Sequence, residues 1–391
     1  MMRQRNFDMS SGATACQGTL AAVMRSGISC LLLFLPLYAM AQEGSGRLPH
    51  PLFQNDEVLK AVLTAPIAQT YAQRHQEVRI YHPGQWTYVD EDGTTQRLDV
   101  SIRTRGHFRR EVCDLPPLQL NFKKSQVKGT LFKGQNKIKL VAPCKSGKTY
   151  QQYVILEYLA YEIWRILTDR GFETRLVRLS YVDRDEKLDP WTDFAFLIED
   201  DSDLAKRVDL DRLNLVSVLY SQLDHAHTAL VQVFQFMIAN NDYSVIKPSG
   251  DGDCCHNIEL LGIEDEDDNV AEGDAIPIPY DFDFSGLVNA AYAAPPSQVP
   301  IRDDRFRYFY GLCQPREFLD GAIAHVQSKR EEIFALIANM VELDDGVRKK
   351  TISFIEDFYA IIDDPEMVEE EIVARCRGAN LMHRHFGEPT G

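Results

Sequence analysis

Asp242, Asn257 and Asp281 stand in an order that suits phosphoryl transfer. The first ends the run Asn240-Asn241-Asp242, the second closes Cys255-His256-Asn257, and the third follows Pro279-Tyr280 and opens Asp281-Phe282-Asp283-Phe284-Ser285-Gly286. Phosphoryl transfer asks little covalent chemistry of a protein. It needs oxygen ligands that hold magnesium against phosphates and a carboxylate that orients the attacking hydroxyl. In that chemistry Asp242 is the catalytic carboxylate, accepting or orienting the hydroxyl proton. Asn257 and Asp281 hold metal, and Asp283 is either a second metal ligand or a cap for the turn that follows. His256 is read as a packing or loop-fixing residue. Each motif alone is also a plain turn, because Asn and Asp are frequent turn residues. Turns alone explain the joint order less well: an aspartate after a helix, an asparagine before a hairpin, an aspartate after it.

These groups need elements to hold them. Leu230, Val233, Phe234, Met237 and Ile238 recur at helical spacing and deliver Asn240 to Asp242. Short strands are predicted over 258–263 and 275–278. Between them lies an acidic turn, 264–274, read as a solvated hairpin tip because it lacks the ligand spacing and central glycine of a calcium loop. Upstream, 77–141 reads as an antiparallel meander. Val78-Arg79-Ile80-Tyr81 and Gln85-Trp86-Thr87-Tyr88-Val89 are rich in β-formers, and 98–105, 118–122 and 136–141 alternate. Residues 42–75 read as a polar linker and a helix.

The helix predicted over 150–167 places a carboxylate where carboxylates are rare. At about 100° per residue, Tyr153, Ala160, Tyr161 and Trp164 cluster around Glu157, which therefore sits within an apolar face. A buried charge needs a partner. The strand before this helix offers Lys137 and Lys139 on one face. Lys139 with Glu157 is the preferred pair and Lys137 the competitor; a solvated edge charge is the plain alternative for either lysine. Arg105, in Arg103-Thr104-Arg105-Gly106-His107, lies on a strand and turn placed to lean over phosphates. Glu199 ends the predicted strand 194–198, where the chain turns helical. Lys137, Lys139, Arg105 and Glu199 are the candidates for cofactor binding.

The whole chain narrows the setting. With 42 basic and 58 acidic residues and a net charge of −16, it does not attract nucleic acid or an anionic membrane by bulk charge. Residues 1–41 resemble an export signal: Arg25 precedes an apolar run ending in Ala39-Met40-Ala41, a small-residue cleavage pattern. That run falls short of the roughly 20 residues that span a bilayer, and no later segment is apolar enough to do so. Six cysteines follow it, none with zinc-ribbon spacing. Export would oxidise them, and the expected pairs are Cys113–Cys144 and Cys255–Cys313.

Taken in order, Arg103-Thr104-Arg105-Gly106, Leu118-Gln119-Leu120-Asn121-Phe122, Leu156-Glu157-Tyr158-Leu159-Ala160-Tyr161, Ala239-Asn240-Asn241-Asp242, His256-Asn257 and Pro279-Tyr280-Asp281-Phe282-Asp283 resemble the spore-coat protein H (CotH) type of atypical kinases and, more remotely, the HipA kinases. The resemblance implies an α+β, two-lobed atypical protein-kinase-like fold, with an antiparallel β-rich N-lobe over 76–200 and a mainly helical C-lobe over 201–391. It implies ATP with Mg²⁺ or Mn²⁺ as cofactors and a protein hydroxyl as acceptor. It carries the catalytic role to Asp242 and metal binding to Asn257 and Asp281. Three alternatives stay open: nucleotidyl transfer on the same scaffold, a pseudokinase serving as a cell-envelope binding module, and a hydrolase whose metal is held by Asp242, Asp281 and Asp283.

Overall fold

Alternation of apolar and polar side chains governs the first half of the chain. In the computed structural model, which describes residues 47–90, 92–246, 254–263, 270–297 and 299–387, strand β1 (Leu59–Ala65) turns Leu59, Ala61, Leu63 and Ala65 to one buried face. A short helix α1 (Ile67–Ala72) leads to β2 (His82–Val89) and β3 (Thr95–Thr104). Helix α2 (Phe108–Val112) precedes β4 (Leu118–Phe122) and β5 (Lys137–Val141). The long helix α3 (Lys148–Leu167) is followed by β6 (Thr174–Asp183) and β7 (Trp191–Ile198).

These seven strands close into a barrel in the order β1-β2-β3-β4-β5-β7-β6. All neighbours are antiparallel except β1 and β6, which run parallel from Leu59↔Val177 to Ala65↔Asp183 and seal the ring. Its interior holds Trp86, Phe122 and Phe132, whose rings meet edge-on or tilted with centroids 5.0–6.4 Å apart. Closure leaves no sheet edge between β1 and β6 to be protected.

This barrel corrects the fold expected from the sequence. A two-lobed kinase-like arrangement with a β-sheet N-lobe is not what the chain builds. The closing strand β1 comes from the stretch read as linker and helix, and it pairs with both β2 and β6. Val78-Arg79-Ile80-Tyr81, expected as a strand, lies before β2 and outside any strand.

The second half packs its helices against α3, which itself rests on β6 and β7 of the barrel. Helix α4 (Asp201–Arg207) and the short strand β8 (Asp211–Arg212) lead to α5 (His225–Met237). A three-stranded sheet joins β8 to β9 (Ile258–Gly262) and β10 (Ile276–Pro279), in the order β10-β9-β8. Then come α6 (Arg316–Ser328), α7 (Arg330–Asn339), α8 (Asp345–Ile362), α9 (Pro365–Val368), a π-helical turn (Glu369–Val373) and α10 (Ala379–Phe386). Helix α3 is buried on nearly every side, as expected for a helix inserted between two layers. Trp164 meets Phe234 of α5 at 4.9 Å, and Tyr161 meets Phe282 at 4.6 Å. Glu157, at 2% exposure, sits in the middle of this apolar helix.

Among the described residues, cysteines pair as Cys113–Cys144, Cys254–Cys255 and Cys313–Cys376. The first is the pair expected from the sequence. The expected Cys255–Cys313 pair does not form. Leu312 bridges Arg377 in parallel, and the Cys313 amide donates to the Arg377 carbonyl at 2.8 Å, which brings Cys376 beside Cys313. Also among the described residues, no helix is long and apolar enough to cross a membrane. The export-signal segment and the acidic stretch 264–269 lie outside the described residues.

Candidate functional site

A cavity of about 540 Å³ opens where the barrel meets the helical half. From the barrel side come Arg105 after β3, Arg109 on α2, Lys139 and Val141 on β5, and Glu157 and Tyr161 on α3. From the other side come Asp242 after α5, His256 and Asn257 before β9, and Tyr280, Asp281 and Asp283 after β10. Seven of the nine sequence candidates thus line one space. Lys137 and Glu199 do not.

Asp242 is held from several directions. Its carboxylate meets His256 Nε2 at 2.9 Å and accepts from Asn257 Nδ2 at 3.0 Å. The same Asn257 nitrogen donates to the Asp242 carbonyl at 2.7 Å, and the Asp242 amide donates to Asn240 Oδ1 at 3.0 Å. His256 is therefore a loop-fixing residue whose ring sits on the candidate base. Its imidazole is held above its ordinary pKa chiefly by the hydrogen bond to Asp242, against the opposing effect of burial.

Two of the three residues proposed from sequence as metal ligands share a backbone feature. Asn257 (φ 51°) and Asp281 (φ 62°) both occupy the left-handed region, which Asn and Asp tolerate better than most side chains. The Asp281 amide donates to the Tyr161 hydroxyl at 3.0 Å, so α3 fixes the loop that bears it.

Asp283 is a strongly perturbed carboxyl of the cavity. It is buried at 4% exposure, and its Oδ2 has no hydrogen-bond partner. Burial, then the charge of Asp281, push its pKa up to about 7, opposed by Arg109 and a hydrogen bond with Tyr292. Burial likewise holds the Glu157 carboxyl well above the usual range, opposed first by Arg109.

Arg109 is the residue that sequence reasoning missed. Its Nη1 donates to Glu157 at 3.2 Å, its Nη2 to the Ala142 carbonyl at 2.6 Å, and its Nε lies 3.7 Å from Asp283 Oδ2. Glu157 therefore takes its cation from α2, not from the lysine strand. Lys139 forms an ion pair with Asp201 and lies over the rings of Phe172 (5.2 Å) and Tyr280 (5.7 Å). One signal could have found Arg109: it lies four residues before Cys113, and the Cys113–Cys144 bridge draws that segment toward the start of α3.

The remaining candidates are structural in their contacts. Lys137 is exposed at the start of β5, opposite Asn121. Glu199, at 1% exposure, accepts from Arg207 Nε at 3.1 Å and Arg207 Nη2 at 2.9 Å.

Chemically, the cavity joins cationic groups suited to phosphate oxygens with a carboxylate–amide set suited to a divalent cation. Among the described residues no three His, Cys, Asp or Glu side chains cluster as a metal-holding group. Magnesium is commonly held by one or two carboxylates plus substrate phosphates and water, and Asp281, Asp283 and Asn257 supply a set of that kind. Asp283 Oδ2, buried without a hydrogen bond and 3.7 Å from Arg109 Nε, is the observation that fits a cation or a proton there. No protein-family model matches the chain, and no curated protein matches it.

Proposed function

We propose that this cavity carries metal-assisted transfer of the γ-phosphoryl group of ATP to a hydroxyl, with a protein side chain as acceptor. The observation that supports it best is the meeting of Arg105, Arg109 and Lys139 with Asp242, Asn257, Asp281 and Asp283 around one cavity. The order of Asp242, Asn257 and Asp281 along the chain, which resembles CotH-type kinases, points the same way. The reading rests on the site; the barrel argues neither for nor against a reaction.

In this reading the acceptor oxygen attacks the γ-phosphorus and the bond from that phosphorus to the β,γ-bridging oxygen breaks, leaving ADP. The hydroxyl proton passes to Asp242, whose carboxylate is aimed by His256 and Asn257. Arg105 and Lys139 bind phosphate oxygens, with Lys139 exchanging Asp201 for the nucleotide. Arg109 holds Glu157 and balances the carboxylates beside it. Asn257, Asp281 and Asp283 would hold a divalent cation, Mg²⁺ or Mn²⁺, which when bound supplies charge neutralisation for the phosphates.

Three disulfides among the described residues support an oxidising compartment, periplasmic or extracellular, as the place of action. The test is incubation of the full chain with an acceptor mixture and ATP labelled at either the γ or the α phosphorus. Transfer of the γ label, reduced about 10²–10⁴-fold in Asp242→Asn, is the expected result. Transfer of the α label would assign nucleotidyl transfer instead. No transfer of either label, with nucleotide bound, would leave a binding module.

A further inference from the structure

Outside the cavity lies a second group of arginines that this mechanism does not use. Arg79 precedes β2, Arg103 is on β3 and Arg110 is on α2. The Arg103 guanidinium stacks on the Tyr81 ring at 4.8 Å and makes no hydrogen bond or ion pair with any described residue. Arg79 donates to the Thr104 carbonyl at 3.2 Å and Arg110 to the Gln76 carbonyl at 3.2 Å. All three leave Nε without a partner. The carboxylate in contact with the group is Glu111, 3.3 Å from Arg110, and it is shared with His75 at 2.8 Å.

Such a group is unexpected in a chain of net charge −16. Several other arginines pair with carboxylates, as Arg165, Arg207, Arg212 and Arg330 do. Here Arg79 reaches the carbonyl of Thr104, the residue after Arg103, while Arg103 lies on Tyr81, two residues after Arg79, and Arg110 reaches Gln76, three residues before Arg79. Burial, and then the like charges of Arg110 and Arg103, hold Arg79 below its ordinary pKa. A planar fork of donors matches the oxygens of a tetrahedral anion, and several forks together discriminate for it.

We propose that Arg79, Arg103 and Arg110 form an oxyanion site, separate from the catalytic cavity, for a phosphate-type group. The group is either free or carried on a lipid headgroup; Val78 and Ile80, 76% and 54% exposed, flank Arg79 and would rest on the lipid in the second case. The site does not depend on the phosphoryl-transfer reading.

The test titrates inorganic phosphate into the full chain while arginine Nε–Hε resonances are followed, with a parallel arm using phosphatidylcholine vesicles with and without phosphatidylglycerol. Saturable shifts at Arg79, Arg103 and Arg110 are expected, weakened about tenfold or more in Arg103→Gln and less in Arg103→Lys. Arg103→Gln removes no protein hydrogen bond, so its fold should persist, and any thermal shift by nucleotide should be unchanged. Binding to the anionic vesicles that phosphate competes away assigns the lipid source; binding of phosphate alone assigns the free ion. Absence of saturable binding in both arms overturns the proposal. So do shifts confined to Arg105 and Arg109, or shifts that survive Arg103→Gln unweakened.

Discussion

Arg207 and Arg109 are both buried against carboxylates, and they differ in how completely they are satisfied. Arg207 uses Nε and Nη2 on Glu199, Nη1 on the Asp169 carbonyl at 3.0 Å, and Nη2 again on the Gly171 carbonyl. Each of its three nitrogens has an acceptor. Arg109 is as buried, yet its Nε has no hydrogen bond, and the facing Asp283 Oδ2 has none either. Buried polar groups are normally paired because leaving one unpaired costs on the order of 1–3 kcal/mol. The satisfied pair fastens α4 to the end of β7. The unsatisfied one lines the cavity. Between these two arginines, incomplete pairing is the difference; burial is not.

The sharpest way to break this comparison is to remove each arginine. Arg207→Ala leaves Glu199 buried without its cation and should cost about 3–5 kcal/mol in denaturant unfolding. Arg109→Ala should cost less, about 1–3 kcal/mol, because burial already holds Glu157 and Asp283 toward their protonated forms. Label transfer from ATP should nonetheless vanish in Arg109→Ala. Equal stability losses would show that the two networks do the same work.

A second test separates what fastens each arginine. Cys113–Cys144 closes a 31-residue separation and holds α2, the helix of Arg109; Arg207 has no such staple. Cys113→Ser with Cys144→Ser should destabilise by about 3 kcal/mol and lower nucleotide affinity, because Arg109 loses its register against Glu157. Unchanged affinity after that loss would mean that the bridge serves the barrel alone.

The smallest expected effect is a pH slope. Asp283 has a native pKa near 7 against an ordinary value of 3.8, so between those values the native state holds a proton that the unfolded chain has released. Stability of the ligand-free protein should therefore fall as pH rises across that window, by on the order of 1 kcal/mol per pH unit, and level off above it. Glu157 adds in the same direction. Asp283→Asn should flatten the slope; an unchanged slope would place its origin elsewhere.

Much of this was legible in the sequence, for reasons that differ by residue. Asp242, Asn257 and Asp281 were visible because the turn chemistry of Asn and Asp and the chain order point together. Glu157 was visible because one carboxylate on an apolar helix face breaks a periodic pattern, and α3 was found within two residues at its start. The barrel was not legible, since its closure depends on β1, seven residues whose alternation is short and whose partners β2 and β6 lie far apart in sequence. The Lys139–Glu157 expectation met the same obstacle. Which cation reaches a buried carboxylate is set by tertiary placement of α2, and strand position cannot report that. Cys376 was overlooked as a partner for Cys313 because the contact that joins them is a single parallel bridge between distant segments.

The most direct measurement is thermal unfolding of the full chain with ATP, with Mg²⁺, and with both, repeated in Asp281→Ala. A ligand at about 100 times its dissociation constant adds roughly 2.7 kcal/mol to the folded state. Stabilisation that requires nucleotide and metal together and disappears in Asp281→Ala is the predicted result. Stabilisation by metal alone, or none under any condition, would contradict a nucleotide-binding phosphotransfer site.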